Sequence, residues 1–233
     1  MINFIIVKVL GKERFKLSKE VPLSYIMMLG QKFIFGLVRG KLRTVTLKKK
    51  GKNVIVGKKV AIRVKKHISI GNNVRLDDRV ILDGLSTEGI TLGDRVKIGA
   101  DSKILCTGSL ENLGKGIEIG ENSSFAENTF FGAAGGIKIG QNVISGQNVR
   151  FHSENHKFAD LDVLIREQGV TRKGIKVGDN CWIGSGVVFL DGSEVGSGCV
   201  IAANAVVSGK FSSNEIIGGM PAKKLKTRGE KSE

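Results

Sequence analysis

Residues 174–209 read GIKVGDNCWIGSGVVFLDGSEVGSGCVIAANAVVSG, and the spacing inside this stretch decides the fold. Apolar side chains return at every sixth position, as Val177, Ile183, Phe189, Val195, Ile201 and Val207. The residue after each is Gly178, Gly184, Leu190, Gly196, Ala202 or Ser208, and four residues after the first five stand Cys181, Val187, Ser193, Cys199 and Ala205, most of them small. Working outward, the same step recurs at Val56 and Ile62, at Ile70, Leu76 and Leu82, at Leu92, Ile98 and Ile104, at Ile119, Phe125 and Phe131, and at Ile139, Ser145 and Phe151. Short insertions separate these triplets. A period of six matches neither an α-helix nor a two-residue strand alternation. It fits a chain wound into flat sides of one hexapeptide each, three sides to a coil, with one large side chain per side filling the axis and a small residue at each corner. Coils stacked at the inter-strand spacing of about 4.8 Å would give a prism of roughly eight coils and about 38 Å. Hairpins of a sandwich or barrel would show period two and freely varying lengths, which this sequence does not.

Composition agrees with a globular solenoid. The chain has 233 residues, 41% hydrophobic and 25% charged, with 32 glycines against two prolines, so disorder is excluded. No Gly-X-Y register supports collagen. The formal charge of +15 is unevenly placed: residues 1–66 carry 18 basic and 2 acidic side chains, whereas the remainder is close to neutral. Three cysteines, Cys106, Cys181 and Cys199, form no metal-type cluster, and an odd number argues against a secreted disulfide framework, so a reducing cytoplasm is expected. Cys181 and Cys199, eighteen positions apart, should stack in the same corner of adjacent coils as packed free thiols, with a disulfide as the lesser alternative. The opening MINFIIVKVLGKERFK places its apolar run before its charges, the reverse of a signal peptide. The apolar stretch Val21–Val38 is interrupted by Gln31 and Lys32 and barely reaches spanning length.

The stretch 174–209, followed by NEIIGGMPAKKLK, resembles the hexapeptide-repeat acyltransferases, in particular the sugar O-acetyltransferase type. The similarity covers roughly residues 54–228 and is strongest from Ile137 onward. It implies an all-β, left-handed parallel β-helix, a homotrimer with active sites between neighbouring subunits, and acetyl-CoA as donor. Handedness is not legible from the spacing, because the usual chirality of parallel crossovers points the other way. The expected organisation is a basic N-terminal segment with an amphipathic helix (1–53), the β-helix domain (54–210) with a loop at 152–175, and a CoA-proximal tail (211–233).

That loop is the largest break in the repeat, between Phe151 and Val177, and it holds His152 and His156, two of the three histidines. Loops of this length in a compact fold are usually functional or disordered. Moving an acetyl group from a thioester to a hydroxyl needs a base, and imidazole suits neutral pH. The family's catalytic histidine falls on His156 in ENHKF. His152 reads as structural, and Glu154 as either an orienting carboxylate for His156 or a solvated acid. By resemblance, the backbone N–H of Ser185 is the donor to the developing oxyanion. Trp182 lies beside the CoA or acceptor site or simply packs, Ala203 and Ser208 line the pantetheine arm, and Lys223 and Lys226 approach the nucleotide phosphates. The family's usual Thr-Lys-Asp is here Ser208, Gly209 and Lys210, which leaves the role of Lys210 open. No metal is expected: a zinc hydratase on this fold would need three histidine ligands, and the spacing of His67, His152 and His156 does not match it.

In the N-terminal segment, residues 21–42 start at Pro22, are apolar on most sides, and run into Arg43 and Lys48–Lys50. Two readings stand side by side: a cap over the open end of the solenoid, and an interfacial helix giving peripheral contact through residues 21–50 with the inner face of the cell membrane. Nucleic-acid binding is disfavoured, because interleaved stacking aromatics are missing. The expectation is a cytoplasmic, trimeric acetyl-CoA-dependent O-acetyltransferase acting on a sugar or lipid-linked oligosaccharide in surface or capsular polysaccharide biosynthesis. The alternatives are N-acetylation of an amino sugar or small molecule, and a non-catalytic membrane-associated scaffold.

Overall fold

The computed structural model describes residues 17–230; residues 1–16 and 231–233, and with them the expectation about the opening residues, lie outside the described residues. One α-helix, α1 (Leu23–Arg43), is followed by three parallel sheets that form the sides of a triangular prism. The first face has eight strands from Lys49–Lys50 to Lys210–Phe211, and the third has seven from Ala61–Arg63 to Val206–Val207. The second face runs from Ile55–Val56 to Glu215–Gly218 and is closed by an antiparallel ninth strand, Lys223–Thr227. The coils therefore extend from Lys49 to Gly218. They wind as a left-handed parallel β-helix, opposite to the hand usual for parallel crossovers.

Register follows the six-residue period. On the first face Ile70, Leu92, Ile119, Ile139, Val177, Val195 and Phe211 are stacked Cα partners. On the second the column is Val56, Leu76, Ile98, Phe125, Ser145, Ile183, Ile201 and Ile217. On the third it is Ile62, Leu82, Ile104, Phe131, Phe151, Phe189 and Val207. These side chains are the core: nearly all are fully buried, with Ile62, Phe211 and Ser145 less so. Because coil spacing matches ring-stacking distance, Phe131, Phe151 and Phe189 stack with centroids 5.0 and 4.6 Å apart and planes within 5°.

After the inward residues of the first and second faces, as far as Phe211, the corners repeat a turn in which the third residue takes positive φ. Asparagine fills most of these places, as at Asn73, Asn122, Asn128, Asn142, Asn148, Asn180 and Asn204, because its short amide tolerates the left-handed region. Between inward and left-handed residues the coils approach closely: a Cβ on Gly184 would lie 2.5 Å from the Ala203 nitrogen. Steps from first to second face and from second to third always span six residues. All additional length enters between third face and first, in the segments Ile62–Ile70, Leu82–Leu92, Ile104–Ile119, Phe131–Ile139 and Phe151–Val177. One prism edge thus carries every excursion.

Helix α1 lies against the first coil. Its buried side is Gly36, Gly40 and the following Thr44, with Phe33 and Leu37 half-buried. A Cβ on Gly40 would collide with the Val54 carbonyl oxygen, so glycine is required for this approach. The otherwise open coil edge is satisfied by α1: Arg39 Nε donates to Val56 O (2.8 Å) and Arg43 to Val60 O (2.6 Å). The helix caps the solenoid through these contacts.

Candidate active site

The long excursion leaves the third face at Ser153 and returns at Gly174. Both ends are pinned by buried side chains. Ser153 Oγ donates to Gly132 O (2.7 Å) and accepts from Gly135 N (2.9 Å), and Asp191 accepts from the backbone N–H groups of Gly174 (2.7 Å) and Lys173 (3.1 Å). The stem is a two-stranded antiparallel ribbon, Asn155–His156 with Val170–Thr171. The ribbon carries His156 away from the prism with its ring exposed and engaged by no other described residue. At the tip Phe158, Leu161, Leu164 and Ile165 are exposed, Leu161 at 96%.

Glu154 does not orient His156. Its carboxylate accepts from Arg172 Nε at 2.6 Å, and the same guanidinium donates to Asn112 Oδ1 (3.0 Å), Leu113 O (3.1 Å) and Asn112 O (3.1 Å) in the neighbouring excursion. Arg172 thus ties the stem of the long loop to the 106–115 excursion on the same edge. Sequence reading missed this clamp because its partners lie 60 positions apart and share no motif. His152 sits in the third-face column beside Phe130, ring centroids 5.4 Å apart, and burial followed by the Arg150 charge holds its pKa below the ordinary imidazole value. Cys181 and Cys199 are buried free thiols, donating to Gly196 O (3.2 Å) and Ser212 O (3.1 Å) of the next coil.

Ser185 stands at the corner between second and third faces. At four equivalent corner positions a side-chain oxygen of the next coil seals the backbone N–H: Asp78 Oδ1 for Lys58 on this corner (2.7 Å), and, on the corner between first and second faces, Asp94 Oδ1 for Asn72 (2.8 Å), Asp179 Oδ1 for Gln141 (2.9 Å) and Ser197 Oγ for Asp179 (3.0 Å). The residue stacked on Ser185 is Ala203, whose methyl group can accept nothing. Neither the Ser185 N–H nor the Ala203 N–H donates to any described residue. On this same corner the N–H groups of Asp78, Ala100, Glu127 and Gln147 also donate to no described residue, so Ser185 and Ala203 continue a row of open donors. Beside them on the second face Trp182 is 55% exposed, in an outward column with Ile144 and Val200, so about half of its surface faces outward. Lys223 and Lys226 lie on the closing strand of that face, opposite Gly218 and Ile216.

One chain gathers these residues into two groups. Ser185, Ala203, Trp182, Lys223 and Lys226 share the second face and its corner with the third. Ser208 stands at the opposite edge of the third face, about five residues or roughly 17 Å of extended strand from Ala203, and the ribbon that bears His156 leaves from that same edge. Lys210 belongs to the first face and pairs with Glu194 at 3.5 Å. Among the described residues no cluster of three or more His, Cys, Asp or Glu side chains has metal-holding geometry.

Comparison with known proteins finds acetyltransferases and acyltransferases among the similar chains. The family model "Bacterial transferase hexapeptide (six repeats)" matches residues 174–209. The chain is 34% identical over 92 residues to a probable acetyltransferase of Mycobacterium tuberculosis, covering 40% of this chain and 31% of that protein. It is 26% identical over 125 residues to WbbJ, the putative lipopolysaccharide-biosynthesis O-acetyltransferase of Escherichia coli, covering 50% and 64%. The chain thus spans less than two thirds of these relatives. Among solved structures, AntD, an N-acyltransferase of Bacillus cereus in complex with dTDP-4-amino-4,6-dideoxyglucose and coenzyme A, superposes with a TM-score of 0.55 over 82% of this chain and 89% of its own, at 22% identity. The six-residue register and the three-sided prism agree with these likenesses: residues 174–209 match the bacterial hexapeptide transferase repeat, and the chain is similar to acetyltransferases over part of its length.

Proposed function

We propose that the protein is an acetyl-CoA-dependent O-acetyltransferase that acts on a sugar hydroxyl, in surface or capsular polysaccharide biosynthesis, as a homotrimer. The observation that carries this reading is the pair of incomplete half-sites: an exposed, unengaged imidazole on one edge of the third face and open N–H donors on the other. A threefold assembly of parallel prisms would bring the loop edge of one copy to the open corner of the next. The exposed apolar tip of the loop supports such docking, since Phe158, Leu161, Leu164 and Ile165 would gain about 1.5–3 kcal/mol each on full burial against a neighbour.

In this scheme acetyl-CoA supplies an activated acyl carbon with a thiolate as leaving group. His156 accepts the proton of the acceptor hydroxyl as its oxygen attacks, and later returns that proton to the departing sulfur. The Ser185 N–H receives the negative charge that develops on the acyl oxygen. The Ala203 N–H, Ser208, Trp182, Lys223 and Lys226 would hold the donor's arm and phosphates, a role the open corner donors and the lysines of the closing strand fit. The acceptor would be a saccharide carried on lipid, met at a membrane surface through residues 21–50.

Thiol release from acetyl-CoA in the presence of candidate glycans tests the reading. Wild type should turn over and His156→Ala should lose about 10²–10⁴-fold; turnover of the alanine variant near the wild-type rate removes the assignment. Product bearing an amide rather than an ester would move the activity to amino sugars, and no turnover with any acceptor in an intact trimer would favour a scaffold.

A further inference from the structure

Capping uses only one side of α1. Taking 100° per residue, Gly36, Gly40 and Thr44 face the first coil, and the opposite side presents Met27, Ile34, Phe35, Val38 and Leu42. All five are exposed, from 52 to 69%. A soluble surface rarely concentrates large apolar side chains in this way without an occupant. Lys32 and Lys41 flank this stripe on its two sides, both exposed, and the same end of the molecule continues into Lys48, Lys49, Lys50 and Lys52. Residues 17–66 carry fourteen basic side chains against one acidic, Glu20.

Two occupants suit an apolar stripe at the end of a prism: a bilayer, or the same end of a second copy. Charge separates them. End-to-end pairing would bring two such cationic ends together around the stripe, whereas an anionic lipid surface complements both stripe and rim. Among the described residues no helix is long and apolar enough to cross a membrane, so the helix would lie in the interface plane.

We propose that α1 is a two-faced element: its glycine side caps the solenoid, and its Met27–Ile34–Phe35–Val38–Leu42 side docks in plane on an anionic bilayer, with Lys32 and Lys41 at the headgroups. This deepens the membrane placement above and rests on it, but not on acyl transfer. In an assembly of parallel prisms every copy would present α1 to the same plane, and multivalency would strengthen weak single contacts.

Cosedimentation of the full chain with phosphatidylcholine vesicles, with and without phosphatidylglycerol, tests it. Wild type should sediment only with the anionic vesicles and be released by salt. Phe35→Glu with Leu42→Glu should weaken binding by at least about tenfold, and Lys32→Gln with Lys41→Gln by about 25-fold, taking each basic residue as worth about fivefold. Melting temperatures should stay unchanged, because all four side chains are exposed. Wild type left in the supernatant, equal binding to both vesicle types, or retention by the glutamate variant overturns the proposal. So does a solution mass that halves in the glutamate variant without vesicle binding, which would assign the stripe to a second copy. His156→Ala should lower thiol release by about 10²–10⁴-fold and leave vesicle binding intact, so failure of the chemistry and failure of the membrane contact read out separately.

Discussion

Replacing Ala203 by serine would close the donor on which the proposed chemistry depends. The template is present in the same fold: one corner over, Ser197 Oγ accepts the N–H of Asp179 at 3.0 Å, with Ser197 stacked on Asp179 as Ala203 is on Ser185. A hydroxyl at 203 would meet the Ser185 N–H in the same way and add about 0.5–1.5 kcal/mol to folding stability. It would also remove the donor from the acyl oxygen, which costs about 2.7–4 kcal/mol in the transition state, or on the order of 10²–10³ in kcat. Ala203→Asp should act more strongly, as Asp78 does for Lys58 at 2.7 Å. The assay is thiol release at saturating acetyl-CoA, so that a weakened donor site, seen as a raised KM, is separated from the kcat effect. Ala203→Val is the control, adding bulk but no acceptor. Serine turning over at the wild-type rate, or valine losing as much as serine, would refute the claim that the open N–H is what matters.

Three further outcomes follow from the fold. Phe151→Ala should destabilise by about 3–5 kcal/mol in denaturant unfolding, because its ring stacks on Phe131 and Phe189 and meets Phe125 edge-on; a loss under about 1 kcal/mol would show that the coils relax into the space. His152 binds its proton less readily folded than unfolded, so its contribution is present above the ordinary imidazole pKa of about 6.5 and is lost as pH falls through that value toward the lower folded one. Melting temperature should therefore drop on acidification through that window, and His152→Gln should flatten the drop. Burial pushes the Cys106 thiol up to about 12 and that of Cys181 to about 11, and raises Cys199. A disulfide-exchange reagent should thus report almost no thiol until the protein is unfolded; prompt reaction of the native protein would contradict the buried corners.

Much of this architecture is legible in one dimension because a coil is built from local repeats. The inward columns are each readable as a six-residue step, and the insertions between triplets are visible too, although that they all fall on one prism edge is seen only in the fold. The loop with His156 announced itself as the largest break. Other features leave no such trace. Arg172 reaches Asn112 across two excursions whose sequences share nothing, so the sequence leaves Glu154 between an orienting carboxylate and a solvated acid, and the fold pairs it with Arg172. The asparagines of the corner turns were present in the sequence, but their positive φ was not.

Period and side-chain volume determine, from the sequence alone, that the chain winds into a three-sided solenoid, since a large residue at every sixth position can be buried only on an axis. Which N–H groups lie open, which carboxylate meets which guanidinium, and which side of α1 is spent on capping are decided only in three dimensions. The reason is that each depends on what the next coil places within about 3 Å. That Ala203 stands over Ser185, the juxtaposition on which the proposed role of the Ser185 N–H rests, follows only from how the coils stack.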